Sequence, residues 1–185
     1  SAAPADLAEQ IRSLPKPVQQ MAGHAATHLR DYQDADYAKM FLQRLDRVIA
    51  CDRKDMTHRL SVSVARRLAA WMAYEDVIRI ADLKTRRARF ERLHAEVGAR
   101  PGEPVRITEF LKPGVEEIAT LLPAGLARRL TAWADRRGLT RKLHLPMHIR
   151  TDTLLGYSVM RAIARLRQRR PKGLRFVKIG RASCR

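Results

Sequence analysis

Asp34-Ala35-Asp36-Tyr37-Ala38-Lys39-Met40-Phe41-Leu42-Gln43-Arg44-Leu45-Asp46-Arg47-Val48-Ile49 sets the fold class. Asp34 suits a helix cap, because its carboxylate can accept an amide of the first turn that has no partner within the helix. Tyr37, Phe41, Leu45, Val48 and Ile49 then recur at steps of three and four, which puts them on one helix face. The same period runs along nearly the whole chain and strict alternation is almost absent. The expectation is a mainly α, multi-helix domain with at most one small β hairpin or strand pair.

Towards the N-terminus, residues 5–13 suit a short helix that stops before Pro15, and Pro17 suits the first turn of a helix to about Leu29. Asp31, Asp34 and Asp36, with Gln33 among them, crowd acids into a basic chain, and capping with dipole complementarity accounts for them without acid–base chemistry. Beyond residue 49, Thr57 is the next cap. From it the period predicts one long helix with a core face at Leu60, Val64, Leu68 and Trp71, bending near Tyr74, then continuing through Ile80, Leu83, Phe90, Leu93 and Val97 until Gly98 ends it.

Gly98, Pro101-Gly102 and Pro104 form the clearest internal boundary, near 98–104, within a single helical domain over residues 1–178. Val105-Arg106-Ile107-Thr108 is the best strand, with Leu143-His144-Leu145 and Met147-His148-Ile149 as partners. Pro113-Gly114 breaks the chain before a short helix over Val115 to Leu121. Pro123 starts another, with Leu126, Leu130 and Trp133 inward, ending at Gly138. Asp152 or Thr151 caps a last helix through Leu155, Val159, Ile163 and Leu166, stopped by Pro171.

A chain of 185 residues with 37 Lys+Arg, 19 Asp+Glu and a net charge of +18 favours anionic partners. Its two cysteines, Cys51 and Cys184, form no framework, which fits a reducing compartment, and the cytoplasm is expected. No apolar run approaches a bilayer span. Ser1 is not an initiator methionine and the opening reads as the middle of a longer polypeptide. Residues 179–185, Ile179-Gly180-Arg181-Ala182-Ser183-Cys184-Arg185, look like a translated sequencing adapter and are left out of the fold reading.

Few patterns carry chemistry. His24 and His28 share a helix face but have no carboxylate or cysteine at ligand spacing. Cys51 cannot hold an iron–sulfur cluster, which needs several thiolates. Glycine-rich phosphate loops, G-x-S-x-G and H-E-x-x-H are absent, so no catalytic residue and no metal ligand is assigned. In Tyr74-Glu75-Asp76-Val77-Ile78-Arg79, Glu75 or Asp76 can pair with Arg79 one helical turn on. Such a set either interlocks helices or lets Arg79 and Lys84 reach an anionic group such as a phosphate or a partner's carboxylate. Thr108, Glu109 and Lys112, before Pro113-Gly114, admit the same two readings. Arg161, Arg165 and Arg169, with Arg167, Arg170, Lys172 and Arg175 around them, would cross a phosphate backbone, though a solvated stripe, or one that meets an acidic neighbouring subunit, accounts for them with less assumption. A basic nucleic-acid-binding module is therefore the alternative function, weakened by 5% aromatic content.

Asp31-Tyr32-Gln33-Asp34 with Tyr37, Tyr74 to Arg79, Asp82-Leu83-Lys84-Thr85-Arg86, Thr108-Glu109-Phe110-Leu111-Lys112-Pro113-Gly114 and the late Gly156-Tyr157 together resemble another protein group. Over about residues 28–178 the chain is similar to the helical C-terminal region of the indolepyruvate ferredoxin oxidoreductase family, in its beta subunit or the fused enzyme. That resemblance implies an accessory domain of an enzyme that oxidatively decarboxylates aryl pyruvates to acyl-CoA. It also implies thiamine diphosphate, iron–sulfur clusters and coenzyme A in the parent complex, with ferredoxin and the catalytic subunits as partners. None of those cofactors is expected in this chain, and the piece alone is expected to be inactive.

Overall fold

In the computed structural model, residues 5–52, 57–100, 102–140 and 142–172 are described. Ala5–Ser13 forms helix α1 and Lys16–Tyr32 forms α2, with Pro17 in its first turn where a missing amide breaks no bond. Ala35–Cys51 is α3, and Asp34 caps it as expected, its carboxylate accepting the Tyr37 amide at 2.8 Å. Tyr37, Phe41 and Leu45 are buried, while Val48 and Ile49 are half-buried. The Tyr37 hydroxyl donates to the Met72 carbonyl at 3.0 Å, which satisfies a polar tip inside the core.

Arg59–Met72 is α4, which begins later than Thr57 predicts. His58 precedes it in the left-handed region (φ 44°) and gives no side-chain cap. The capping oxygen comes instead from Asp52, just beyond the end of α3, which accepts the Ser61 amide at 3.0 Å and the Ser61 hydroxyl at 2.5 Å. Those bonds hold the Asp52 carboxyl below its ordinary value of 3.8.

The expected long helix is instead three. After α4 come Val77–Lys84 (α5) and Arg87–Glu96 (α6). Asp76 and Thr85 stand at the breaks: Asp76 caps α5, and the Thr85 hydroxyl donates to the Ala81 carbonyl at 2.9 Å. Gly98 ends α6 as predicted, taking φ 65° while Ala99 donates back to the His94 carbonyl at 3.0 Å.

The strand lies three residues later than Val105 predicts. β1 is Thr108–Leu111, and it pairs antiparallel with β2, Met147–Arg150, with Phe110 opposite His148. Residues 105–107 are instead tied down from outside a ladder, as Ile107 donates to the Asp152 carboxylate and accepts from the Thr151 amide. His144 meets Gly114 in an isolated bridge. Between the strands lie α7 (Val115–Ala119) and α8 (Ala124–Arg136). Leu154–Arg165 is α9, capped by Thr153, which follows both expected caps, Thr151 and Asp152. It tightens into a 3₁₀ segment, Leu166–Lys172, before Pro171 is reached. Among the described residues the fold is thus mainly helical with one strand pair, as expected.

The chain divides into two compact units, Ser1–Tyr74 and Glu75–Arg185. In the first, α2 and α4 meet through small residues: Ala22, Ala25 and Ala26 on one, Ser61, Ala65 and Ala69 on the other. In the second, Ala81 on α5 packs with Met160 and Ala164 on α9, flanked by Leu111, Ile149 and Ile163. The expected boundary near 98–104 lies inside that second unit, with Pro101 outside the described residues; residues 179–185 are outside them too.

Three helices turn a different face inward from the one their large residues predict. α4 buries Ser61, Ala65, Ala69 and Met72, leaving Leu60 and Trp71 about half exposed, at 54% and 51%. α8 buries Ala127 and Ala134 and exposes Leu126 and Trp133. α9 buries Gly156, Met160 and Ala164, leaving Leu155 78% exposed, with Val159 open beside it. Each correction is a shift of one residue, about 100° around a helix. Its cause is close approach, since small side chains let helix axes draw together. Gly156 is small for a different reason: a Cβ there would run into the Arg150 carbonyl, at the end of β2 just before α9.

Candidate functional site

Asp76 begins α5 and is buried, with two sets of bonds. Its Oδ1 accepts the Arg79 amide at 2.6 Å as a cap. Both oxygens also take the buried Arg170 guanidinium, Nε at 2.9 Å and Nη2 at 3.0 Å, in a two-pronged pair that planar guanidinium and carboxylate groups favour. The acid within Tyr74–Arg79 that pairs with a guanidinium therefore reaches Arg170, from the basic run after α9. The Arg79 side chain pairs one turn forward, with Asp82 at 3.4 Å, and Asp82 also takes Arg86.

A second cluster forms around Glu109. On β1, Thr108 and Phe110 face outward while Glu109 turns in and is buried. Its carboxylate receives Lys84 Nζ, from the end of α5, at 2.6 Å, and also Arg89 of α6. Among the sequence candidates, then, Asp76 is joined with Arg79 and Glu109 with Lys84. Tyr74 lies elsewhere, its ring 5.9 Å from that of Tyr32. Glu75, Thr108 and Lys112 are exposed and belong to neither cluster. His24 and His28 are exposed on α2, and among the described residues no group of three or more metal-ligating side chains gathers.

Beside these clusters, α6 and the start of α9 border two open cavities. One, of about 760 Å³, is lined by Arg87, Phe90, Glu91, His94, Arg100 and Tyr157 among others. The second, of about 530 Å³, shares Phe90, His94 and Tyr157 and adds Arg106, Arg150, Asp152 and Leu154. Phe90 and Tyr157 form a tilted ring pair at 6.2 Å. Asp152 is engaged by Arg150 at 2.6 Å and by the Ile107 amide, bonds that lower its carboxyl below the ordinary 3.8.

Sequence reading placed Phe90 in the core and Arg170 in a solvated stripe, and it passed over Arg89, Arg100 and Arg106. No local pattern could have found the roles of Phe90, Arg89 and Arg170, because their partners Tyr157, Glu109 and Asp76 lie far away along the chain. Of the arginines read as a stripe, Arg161, Arg165 and Arg169 do face outward; Arg175 lies outside the described residues. No described helix is long and apolar enough to cross a membrane.

Neither the curated proteins nor the solved structures contain a match to this chain. A family model does match, over residues 18–177, and its description is a family of unknown function (DUF6537). With that match covering most of its length, the chain belongs to the DUF6537 family.

Proposed function

We propose that this chain is a helical accessory and assembly domain of a 2-oxoacid ferredoxin oxidoreductase of the indolepyruvate type. The observation that carries the assembly role is that three helices each leave large apolar side chains outside the core: Leu60 and Trp71 on α4, Leu126 and Trp133 on α8, and Leu155 and Val159 on α9. Apolar side chains repeated along one open helix face mark surfaces that meet other proteins. A second support is that the charged residues singled out in sequence are tied to one another, Asp76 to Arg170 and Glu109 to Lys84 and Arg89. Groups fastened in this way hold elements in place.

The enzyme class rests on the sequence resemblance, and cytoplasmic placement comes with it. Iron–sulfur clusters and thiamine diphosphate belong, on this reading, to the catalytic parts of the parent. The donor set agrees for clusters, since two cysteines cannot supply the several thiolates a cluster needs. The chain would dock on those catalytic parts and orient them, with ferredoxin a partner of the whole.

The test is to assemble the parent oxidoreductase with this domain carrying Leu155→Ser and Val159→Ser. Normal folding of the domain with loss of assembly and of 2-oxoacid oxidation is expected; full assembly and turnover would overturn the docking role. Oxidation of 2-oxoacids by the isolated chain, with all cofactors supplied, would overturn it as well. Arg79→Ala or Lys84→Ala should impair assembly, whereas a raised coenzyme A Michaelis constant in an intact assembly would point to ligand contact.

The outward Arg161, Arg165 and Arg169 favour a second reading, nucleic-acid binding. Duplex binding that differs strongly between sequences and falls linearly with log salt would support it.

A further inference from the structure

The two cavities bordered by α6 and α9 are walled by the same three rings, Phe90, His94 and Tyr157. We propose that together they bind a nucleoside phosphate, a role separate from assembly and independent of it.

The argument begins with charge. Four arginines line the cavities. Arg87 is occupied by Glu91 at 2.7 Å and Arg150 by Asp152 at 2.6 Å. Among the described residues, the Arg100 and Arg106 guanidiniums make no ion pair, though the Arg100 amide donates to the Glu103 carboxylate at 2.9 Å, and the two stand one at each cavity. Each guanidinium offers a planar fork of donors that matches phosphate oxygens. Among the described lining residues the carboxylates are Glu91 and Asp152, both already engaged, so the linings themselves carry an excess of positive charge.

Between these cations lies an apolar, ring-bearing wall. Phe90 and Tyr157 are held at 6.2 Å with planes 55° apart, and neither is buried, so ring surface stays open to a stacked base. Thr151, in the wall of the second cavity, has a buried hydroxyl without a hydrogen-bond partner among the described residues. Such a group in a native wall is commonly satisfied by water or by a bound polar molecule. Both cavity volumes fall within the range of small-molecule sites, which favours one nucleotide over a polymer. The residues come mainly from α6, positions 99–100 and 104–107, and positions 150–157, and the Ile107 bonds to Thr151 and Asp152 lock the last two stretches together.

Titration calorimetry on the full chain, with AMP as the probe and adenosine, inorganic phosphate and a single-stranded oligonucleotide as comparisons, tests this. AMP should bind about tenfold or more tightly than adenosine or phosphate alone, since each supplies half of the contacts. The double variant Arg100→Gln, Arg106→Gln should weaken AMP about tenfold and leave adenosine unchanged. Phe90→Leu should weaken AMP and adenosine together. Both arginines are exposed, so their replacement leaves the fold intact and the test decisive even if Phe90→Leu misfolds. AMP binding no tighter than phosphate would overturn the proposal. So would AMP affinity unmoved by the double arginine change, or oligonucleotide affinity that climbs with length while AMP does not saturate.

Discussion

The two units close their interiors by different means. In Ser1–Tyr74 the core is made of large side chains, with Leu7, Val18, Leu29, Tyr32, Tyr37, Phe41, Leu42, Leu45 and Met72 buried together. In Glu75–Arg185 the fully buried large side chains are few, and small residues and buried ions take their place: Ala81 against Met160 and Ala164, Asp76 against Arg170, and Glu109 against Lys84 and Arg89. Many of its large apolar residues sit outside, Leu154 being 90% exposed. The difference teaches that hydrophobic content and hydrophobic burial are separate properties. The first unit closes on large apolar side chains although Leu60 and Trp71 stay out, and the second closes on small residues and ion pairs while more of its large apolar residues stay exposed.

The sharpest way to break that contrast is Asp76→Ala. It strands a buried guanidinium and removes a cap, so it should cost the second unit roughly 3–5 kcal/mol, in urea unfolding followed by Trp133 fluorescence in a Trp71→Phe background. The matching blow to the first unit is Phe41→Ala, about 3–5 kcal/mol from a cavity, read through Trp71 with Trp133→Phe. If Asp76→Ala proved harmless while Phe41→Ala did not, polar closure of the second unit would be refuted. Gly156→Ala should cost about 1–3 kcal/mol, because the new methyl meets the Arg150 carbonyl and α9 must move off. Leu155→Ser, on the outward stripe, should stay within about 0.5 kcal/mol by the same assay. A larger loss would show that the stripe is core after all.

The smallest effect is expected in acid. The Ser61 hydroxyl and amide depress the Asp52 carboxyl below 3.8, so the ionised form is favoured in the folded chain. Its contribution is fully present above that ordinary value and fades as pH falls through the lowered one. Asp52→Asn should therefore flatten the acid limb of a stability profile below about pH 4 and leave the shape near neutrality unchanged. An unaltered acid limb would mean that Asp52 does not hold the start of α4.

Much of the helical layout was legible because its signals are local: the Asp34 cap, Pro17 in a first turn, and Gly98 and Gly138 with positive φ after α6 and α8. Facing was harder to read. In α4, α8 and α9 a stripe of Ala, Ser or Gly runs beside a stripe of Leu, Val or Trp, and hydrophobicity alone selects the larger residues. Close helix packing selects the smaller. The break of the long helix was hidden because the apolar period continues across it, and only distant Arg170 reveals why Asp76 is needed there. At the site, the pairing of Asp76 and Glu109 with cations was foreseeable in kind, though the partners were not. The ring-walled cavities were invisible, since Phe90 and Tyr157 meet only once the second unit has formed.

The Asp76–Arg170 bond spans 94 residues, which sets an order of events on the ribosome. At usual translation speeds of about 5–20 residues per second, the carboxylate is made roughly 5–20 s before its guanidinium. The first unit, complete at Tyr74, can finish folding during that interval. The second must wait with its acid uncompensated, and in that window a chaperone or an already folded neighbour has its best chance to engage it.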